Sequence, residues 1–462
     1  MNNTDFSSLG LHVDLVKNIL SLGYSKMTPI QAQTLPDILK GSDVIGEGKT
    51  GSGKTAAFSL GILNKLDVKN FRIQSLVLCP TRELADQVAS EVRKIGRTIH
   101  NIKVLSLCGG APFGPQKGSL KHGAHIIVGT PGRILEHINK GNLALSYVSM
   151  FVLDEADRML DMGFQPAVSS IVKHLPTNRQ TLLFTATFSD DATVISSKIM
   201  KDPKIIRALS VNKKSEINQY FYQISDENHR FEALKLILLK HRPESTIIFC
   251  ETKKETEEVC NQLVSNGFVT LALHGDLDQK DRDQTLIRFS NNSVPILVAT
   301  DVAARGIDIF SLGAVINYNI ARNIDSHIHR IGRTGRAGTT GNAFSLFSEK
   351  ERYRVDLIEK YLNLTIIPKK LPIPSILNDT PIASLMETIQ IDGGKKQKIR
   401  AGDILGALTG EGGLNGTQVG KINIKDNWSF VAINSDAYKA ALNKLATGKL
   451  KGKIFRVRLI RS

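Results

Sequence analysis

The run Gly48-Lys49-Thr50-Gly51-Ser52-Gly53-Lys54-Thr55 has the spacing of a phosphate-binding loop. In such a loop the backbone NH groups and the lysine cradle phosphates while the Ser/Thr hydroxyl reaches Mg2+. Well downstream, Phe151-Val152-Leu153 leads into Asp154-Glu155-Ala156-Asp157. That pattern predicts a buried parallel strand delivering carboxylates at its C-terminal end, where open α/β sheets place their ligands. A loop pattern alone arises by chance, but an acid-tipped strand after it points to one site for a nucleoside triphosphate with magnesium. A second, cationic cluster follows. The apolar run 295–299 continues into Thr300-Asp301-Val302-Ala303-Ala304-Arg305-Gly306-Ile307-Asp308, and His329-Arg330-Ile331-Gly332-Arg333-Thr334-Gly335-Arg336 comes after it. Against the reading as a solvated basic turn, arginines at such a spacing suit an anion and could supply a pair of arginine fingers. Such groups neutralise charge developing on a γ-phosphate and are worth about 10³ to 10⁵ in rate.

These residues need a scaffold that brings strand ends together. Short apolar runs at 75–79, 125–128, 150–153 and 180–184, separated by longer amphipathic segments, set a βαβ rhythm. It resumes at 246–250, 269–273, 295–299, 314–318 and 343–347, so two parallel-sheet domains are expected, joined near 211–216. Pro368, Pro372 and Pro374 disfavour a helix across 366–374 and predict an extended connector. Beyond it, half-exposed strand patterns at 388–391, 422–424, 429–433 and 455–459, with helix patterns at 401–408 and 435–445, give a β-α-β-β-α-β order. That is the split pattern used by RNA-recognition modules. The expected domains are 1–210, 217–365 and 381–462, with 366–380 as linker.

With 462 residues the chain is too long for one core. No stretch approaches the roughly 18 uninterrupted apolar residues of a membrane helix, and residues 1–20 carry Asp5 and Asp14 without a continuous apolar segment. The expected location is the cytoplasm, with no membrane partner. Cys79, Cys108, Cys250 and Cys260 have no zinc-ligand spacing and are expected to be reduced structural thiols. The net charge of +16 points to a polyanionic partner. Half of that excess lies in residues 380–462, where fourteen Lys and Arg face six Asp and Glu.

Taken as an ordered series, the motifs closely resemble those of the DEAD-box RNA helicases across residues 6–347. Besides the loop and Asp154-Glu155-Ala156-Asp157, they include Gly23-Tyr24 and Thr28-Pro29-Ile30-Gln31, similar to the adenine-reading Q motif with Phe6 as its upstream aromatic. Pro80-Thr81-Arg82-Glu83-Leu84-Ala85, Gly109-Gly110 and Thr130-Pro131-Gly132-Arg133 are similar to the RNA-backbone motifs, and Thr185-Ala186-Thr187 to the Ser-Ala-Thr coupling motif. Met27, Gly48 and Thr185 depart from the common pattern. Asn64-Lys65-Leu66-Asp67 mimics a guanine-reading motif but falls directly after the loop, too early for that role.

The resemblance implies two tandem RecA-like parallel-sheet domains and a role for each motif. Tyr24, Gln31, Thr50, Gly51, Ser52, Gly53, Lys54, Thr55 and Asp308 would hold ATP. Thr55 and Asp154 would hold Mg2+, and Glu155 would orient or deprotonate the attacking water, with Lys54, Arg333 and Arg336 completing the catalytic set. RNA would be held through its backbone by Arg82, Gly110, Thr130, Arg133, Arg282 and Thr300. Thr185, Thr187, Asp157 and His329 would couple hydrolysis to RNA. Domain closure would bend one strand away from its partner. Prying open about five pairs at about 1.4 kcal/mol per stacking step needs on the order of 7 kcal/mol, so short, non-processive opening is expected.

The C-terminal runs Ile391-Asp392-Gly393-Gly394-Lys395-Lys396-Gln397-Lys398-Ile399-Arg400 and Lys449-Leu450-Lys451-Gly452-Lys453-Ile454-Phe455-Arg456 resemble the RNA-binding domain of the bacterial DbpA-type subfamily. That implies an RRM-like α+β module in which Lys395, Lys396, Lys398, Arg400, Lys451 and Lys453 bind RNA. It further implies a 23S ribosomal RNA hairpin as target, on pre-50S particles during assembly of the large subunit, with no obligate protein partner evident. Trp428 and Phe430 could stack unpaired bases, although Phe430 could equally be core. Two other readings stay open: an RNA-binding scaffold latched by ATP without turnover, and a DNA-unwinding enzyme.

Overall fold

A computed structural model describes residues 4–48, 51–188, 190–208, 217–304, 312–335, 340–363 and 365–460. The chain divides into two compact units, the first built on residues up to 213 and the second on residues from 214 onward.

In the first unit seven strands make one parallel sheet. They are β1 (Val44–Glu47), β2 (Ser75–Leu78), β3 (Val104–Leu107), β4 (Ile126–Gly129), β5 (Met150–Asp154), β6 (Gln180–Thr185) and β7 (Lys204–Arg207), in the order β3-β4-β2-β5-β6-β1-β7. β2, β4, β5 and β6 are buried at every position, as expected of strands covered by helices on both faces. Side chains alternate between two cores. Val152 packs with Phe58 and Val88 on one face, while Phe151 and Leu153 pack with Ile171 and Leu183 on the other. Because β5 pairs with β6 and β6 with β1, all in parallel, the chain leaves all three strands at one edge. The loop after β1, the acids after β5 and Thr185–Thr187 after β6 are thereby neighbours. Asp43 pins the opposite edge, its two oxygens accepting from the Thr181 and Lys201 amides, each at 2.7 Å.

The second unit opens with another parallel sheet: β8 (Ile217–Gln223), β9 (Thr246–Cys250), β10 (Thr270–Leu273), β11 (Ile296–Thr300), β12 (Ala314–Asn317) and β13 (Gly341–Phe347), in the order β10-β11-β9-β12-β13-β8. It closes with an antiparallel sheet of β14 (Met386–Ile391), β15 (Val419–Ile424), β16 (Ser429–Asn434) and β17 (Val457–Leu459), in the order β15-β16-β14-β17. The helices Ala401–Thr409 and Tyr438–Thr447 cover one face of it through Ile404, Leu408, Ala441 and Leu445. This is the β-α-β-β-α-β order expected from the sequence.

The apolar runs mark their strands to within a residue or two, but β1, β3, β7 and β8 are additional. β1 is only four residues long and contains a glycine, and β7 is an exposed edge strand ending in Lys204 and Arg207. β8 carries Asn218 and Gln219 between apolar residues and lies at the edge of its sheet. The stretch expected as a connector lies on the second unit's parallel-sheet domain. Lys369 NH donates to the Phe221 carbonyl at 2.7 Å, and Leu371, Ile376 and Leu377 pack against that domain's core. All four cysteines are buried and unpaired.

His327 is a buried titratable group in the same unit. Its Nε2 is 3.0 Å from Gln219 Oε1, and burial, aided by the nearby Arg330 charge, pulls its pKa down to about 4. The unfolded imidazole titrates near 6.5, so the folded state binds fewer protons between these values, and stability is full above about 6.5. The second unit should therefore lose thermal stability as pH falls from about 6.5 towards 4. His327→Gln should flatten that slope, as read by denaturation midpoints across this range.

Candidate functional site

Gly53 and Lys54 sit where β1 gives way to the helix Lys54–Lys65. Gly53 has φ +97°, and a Cβ there would lie 2.5 Å from Gln31 Nε2, so only glycine fits the turn without strain. The Lys54 ammonium is carried inward by the first helical turn and is only 6% exposed. It donates to the carbonyls of Gly48 and Thr185, the latter at 3.3 Å. Burial lowers its pKa, and the carboxylates of Asp154, Glu155 and Asp157 oppose that shift. The Ser52 hydroxyl is buried with no hydrogen-bond partner among the described residues. Gln31, third residue of the helix Pro29–Lys40, accepts from the Thr28 amide at 2.9 Å through Oε1 and donates from Nε2 to the Gly53 carbonyl at 3.1 Å. Gln31 is thus tied to the residue that precedes Lys54. Tyr24 is half-buried with its hydroxyl on Glu91 and the Lys94 ammonium over its ring.

Asp154 ends β5, almost wholly buried, and its pKa is pushed up to about 7, chiefly by burial and then by the Glu155 charge. Glu155 adopts a left-handed φ of 52°, a conformation costly for a non-glycine residue and often associated with functional sites. Its carboxylate makes a buried 2.8 Å ion pair with Arg158, which is 2% exposed. The sequence reading missed Arg158, although an acid and a base three residues apart at a helix start is a recognisable signal. Asp157 Oδ2 accepts from the amides of Ala186 and Thr187 at 3.2 and 3.3 Å and from the Thr187 hydroxyl at 3.4 Å. The Thr185 hydroxyl donates to the Thr187 carbonyl at 2.6 Å. The acidic motif and Thr185-Ala186-Thr187 therefore form one hydrogen-bonded unit. Thr55, second in its helix, and Asp154 supply hard oxygen donors of the kind Mg2+ takes alongside phosphate and water.

On the same unit, Gly109, Gly110 and Ala111 form a loop shaped by the helix Pro131–Asn139. Gly109 NH donates to Thr130 Oγ1 at 3.3 Å, and Arg133 donates to the Ala111 carbonyl at 2.9 Å. The Arg133 side chain is 11% exposed, also pairs with Glu136 at 3.0 Å and lies over Phe113. Arg82 opens the helix Arg82–Ile95 and pairs with Asp86 at 3.7 Å. Asn64, from the GTPase-like decoy, accepts from the His12 amide at 2.9 Å.

In the second unit Thr300 ends β11 and accepts from the Ala303 amide at 3.4 Å, while Arg282 donates to the Ala303 carbonyl at 2.8 Å. Arg333 is buried just after the helix Ile324–Ile331, which also carries His329. Arg330, to which the sequence reading assigned no role, anchors that helix. Its guanidinium grips Asp301 at 2.6 and 2.7 Å, donates to Asn317 Oδ1 and the Asn319 carbonyl, and lies over Phe249. Thr50, Asp308 and Arg336 lie outside the described residues.

In the C-terminal module the two basic runs meet at one end of the sheet. Lys395 and Lys396 donate from their amides to the carbonyls of Lys425 and Asp426, Lys451 pairs with Asp403 at 3.5 Å, and a Cβ on Gly393 would strike Phe455. Lys395, Lys396, Lys398, Arg400, Lys451 and Lys453 are all exposed there. Trp428, 38% exposed, joins them on the β15–β16 turn. Phe430, the other candidate for base stacking, is 3% exposed and has no face to offer.

Residues 28–195 match the family described as DEAD/DEAH box helicase, residues 229–338 the helicase conserved C-terminal domain, and residues 388–459 the DbpA RNA binding domain. The chain is 48% identical to ATP-dependent RNA helicase DbpA of Escherichia coli over 99% of its own length and 100% of that protein's. It is 37% identical to the Bacillus subtilis DbpA over 98% of both. Among solved structures, S. cerevisiae Dbp5 bound to RNA and ADP BeF3 superposes with a TM-score of 0.71 and 32% identity, covering 79% of this chain and 96% of that one.

The loop geometry separates two glycines. A Cβ on Gly48 would lie 3.0 Å from Ser52 Oγ, which can yield by rotation, whereas Gly53→Ala meets both a left-handed φ and Gln31. A left-handed residue with a Cβ costs roughly 1–2 kcal/mol, which is about tenfold in affinity. Titration with a fluorescent ATP analogue should show Gly53→Ala weakened about tenfold or more and Gly48→Ala within about threefold of the parent.

Proposed function

The chain belongs to the DbpA-type DEAD-box ATP-dependent RNA helicases, and from that premise we propose an RNA-stimulated ATPase that opens short stretches of structured ribosomal RNA. As an enzyme of this family it is an ATP-using RNA helicase with two RecA-like domains and an RNA-binding module. The finer assignments are ours. We take residues 1–210 and 217–365 as the helicase domains and 381–462 as the module, with 366–380 between them.

Gln31 reads adenine beside Tyr24, and the backbone of residues 50–53 cradles the phosphates that Lys54 neutralises. Thr55 and Asp154 hold Mg2+, which spreads the charge of the β- and γ-phosphates when bound. Glu155, held by Arg158, orients or deprotonates the attacking water. Arg333 and Arg336, with Asp308 on the ribose, complete the centre when the helicase domains close on ATP. Arg82, Gly110, Thr130, Arg133, Arg282 and Thr300 hold the RNA backbone, and Arg133 also shapes the Gly109–Ala111 loop. Asp157, Thr185, Thr187 and His329 carry the coupling.

The observation that carries the targeting proposal is the meeting of two separate basic runs at one exposed end of the module, with Trp428 beside them. A cationic surface with a stacking platform suits an unpaired loop of RNA. We take its target to be a hairpin of 23S ribosomal RNA on pre-50S particles in the cytoplasm, so that remodelling serves assembly of the large subunit.

Two measurements test the reading. Glu155→Gln should reduce RNA-stimulated ATP turnover by at least about 10²-fold, the lower end of what an acid–base group contributes, while leaving RNA affinity intact. Preserved turnover would remove Glu155 from the chemistry. Across a panel of ribosomal RNA fragments, one hairpin-bearing fragment should stimulate far more than the rest, and removal of residues 381–462 should level the panel. Equal stimulation before and after truncation would end the targeting proposal.

A further inference from the structure

Four neighbouring strands of the first unit, in the order β3-β4-β2-β5, begin at the sheet edge opposite the phosphate loop, and the segments that enter them meet there. Two large aromatic side chains stand out from that edge. Phe71 is 51% exposed and Tyr147 56%, with the Arg72 guanidinium 5.5 Å from the centre of the Tyr147 ring. A lone exposed aromatic on a surface loop is ordinary, but this loop is fastened from beneath. Gln74, 8% exposed, accepts from the Asp67 amide at 3.0 Å and donates to the Asp67 and Asn70 carbonyls at 2.6 and 2.8 Å. His125 is wholly buried, its ring centre 4.5 Å from that of Phe71. It accepts from the Lys103 amide at 3.0 Å through Nδ1, and its Nε2 is 3.2 Å from the Val68 carbonyl. Buried polar groups are satisfied in one arrangement only, because leaving one unpaired is expensive. The chain thereby holds two ring faces towards water in fixed positions.

The charge around the rings has one sign. Lys69 and Arg72 flank Phe71 in the loop, and both are exposed. Exposed Lys121 lies two residues before Gly123, where an added Cβ would sit 3.4 Å from the Phe71 carbonyl oxygen. Lys103, entering β3, donates to the His122 carbonyl at 3.1 Å. Asp67, the acid of the loop, turns back to accept from the Lys69 amide at 3.0 Å. Cations interleaved with exposed ring faces match a flexible, unpaired stretch of RNA, whose phosphates the cations neutralise and whose bases stack on the rings whatever their sequence. An acidic protein segment would match the cations alone.

From this we infer a second RNA-binding surface on the first unit, formed by Phe71 and Tyr147 with Lys69, Arg72 and Lys121, that takes the continuation of a strand held elsewhere on the same domain. The inference rests on the proposed reading that Arg82, Gly110 and Thr130 hold the RNA backbone, because those residues follow β2, β3 and β4 at their far ends. Strands of four residues separate the two places by about 13 Å at about 3.3 Å per residue. RNA long enough to pass round the domain reaches both, and the second contact then acts at a high effective concentration. A short oligomer reaches only one.

The test uses the full chain, a saturating non-hydrolysable ATP analogue, and polyuridine strands of about 10 and about 40 nucleotides, below and above the reach of a single groove, read by fluorescence anisotropy. Phe71→Ala combined with Tyr147→Ala should weaken binding of the long strand about tenfold, within the range of one lost stacked base. Short-strand affinity and short-strand-stimulated ATPase should stay within about threefold of the parent, about 0.7 kcal/mol or less, which also reports an intact helicase core. Phe71→Trp with Tyr147→Trp keeps the ring faces and should bind the long strand as the parent does. Lys69→Gln with Lys121→Gln should lower the slope of log affinity against log salt for the long strand by about 1.4, at about 0.7 per phosphate contact. A 4-thiouridine scanned along the long strand should crosslink to the peptide bearing Tyr147. Unchanged long-strand affinity in the alanine variant overturns the inference and leaves the patch to a protein partner. Equal loss for both strands overturns it too, by placing the effect on the core. If Arg82→Ala left short-strand affinity unchanged, the reading of the core contacts would fail instead, while the crosslink at Tyr147 would still decide the second surface.

Discussion

The first unit is organised around a primary amine with almost no access to water. Lys54 is held against two backbone carbonyls, with Asp154, Glu155 and Asp157 as the charges that offset its burial. An ammonium and carboxylates taken out of water together cost several kcal/mol per ion unless geometry and hydrogen bonds restore the loss. That requirement explains the elements around them. β5, β6 and β1 must be adjacent and parallel so that their C-terminal ends deliver the acids, the Thr185 carbonyl and the lysine to one place. Gly53 must be glycine so that the helix can start where it does. Arg158 must sit one helical turn past Glu155 to neutralise it.

A second consequence follows from the network around Asp157. One carboxylate oxygen gathers both amides and the hydroxyl of the Ala186-Thr187 turn, so the acidic motif at the end of β5 and the turn after β6 cannot move independently. A displacement of either is felt by the other through these three part-buried hydrogen bonds. In the second unit Arg330 has the corresponding role. It ties the helix that leads to Arg333 to the ends of the sheet through Asp301, Asn317 and Asn319, so Arg333 extends from a fixed base.

The C-terminal module keeps its packed sheet face and its cationic end apart. RNA-recognition modules commonly use the open sheet face with aromatic side chains for stacking. Here that face is packed against residues 291–293 of its own chain, and the exposed cations gather instead at the sheet's end. The buried Phe430 and exposed Trp428 are the two sides of that division. It also gives a physical reason for the weak aromatic pattern along β14 and β16, where small polar residues such as Thr388 fit the dock.

Much of this was legible in the chain itself. The phosphate loop, the acid-tipped strand, the ordered motifs after them and the βαβ rhythm are local patterns of residue type and spacing, and local patterns survive translation into strands and turns because they reflect backbone geometry and amphipathicity. For the same reason the module's split order and its basic runs could be read directly. The four-residue β1 and β3 and the edge strands β7 and β8 escaped because short or half-polar strands carry little periodicity of their own. The partnerships were decided only in three dimensions. Glu155 with Arg158, Arg330 with Asp301, Gln31 with Gly53 and Thr388 with Ser293 each join a residue to a neighbour supplied by packing. Whether Phe430 met water or its own chain depended on residues more than a hundred positions away, which no pattern within a strand can encode.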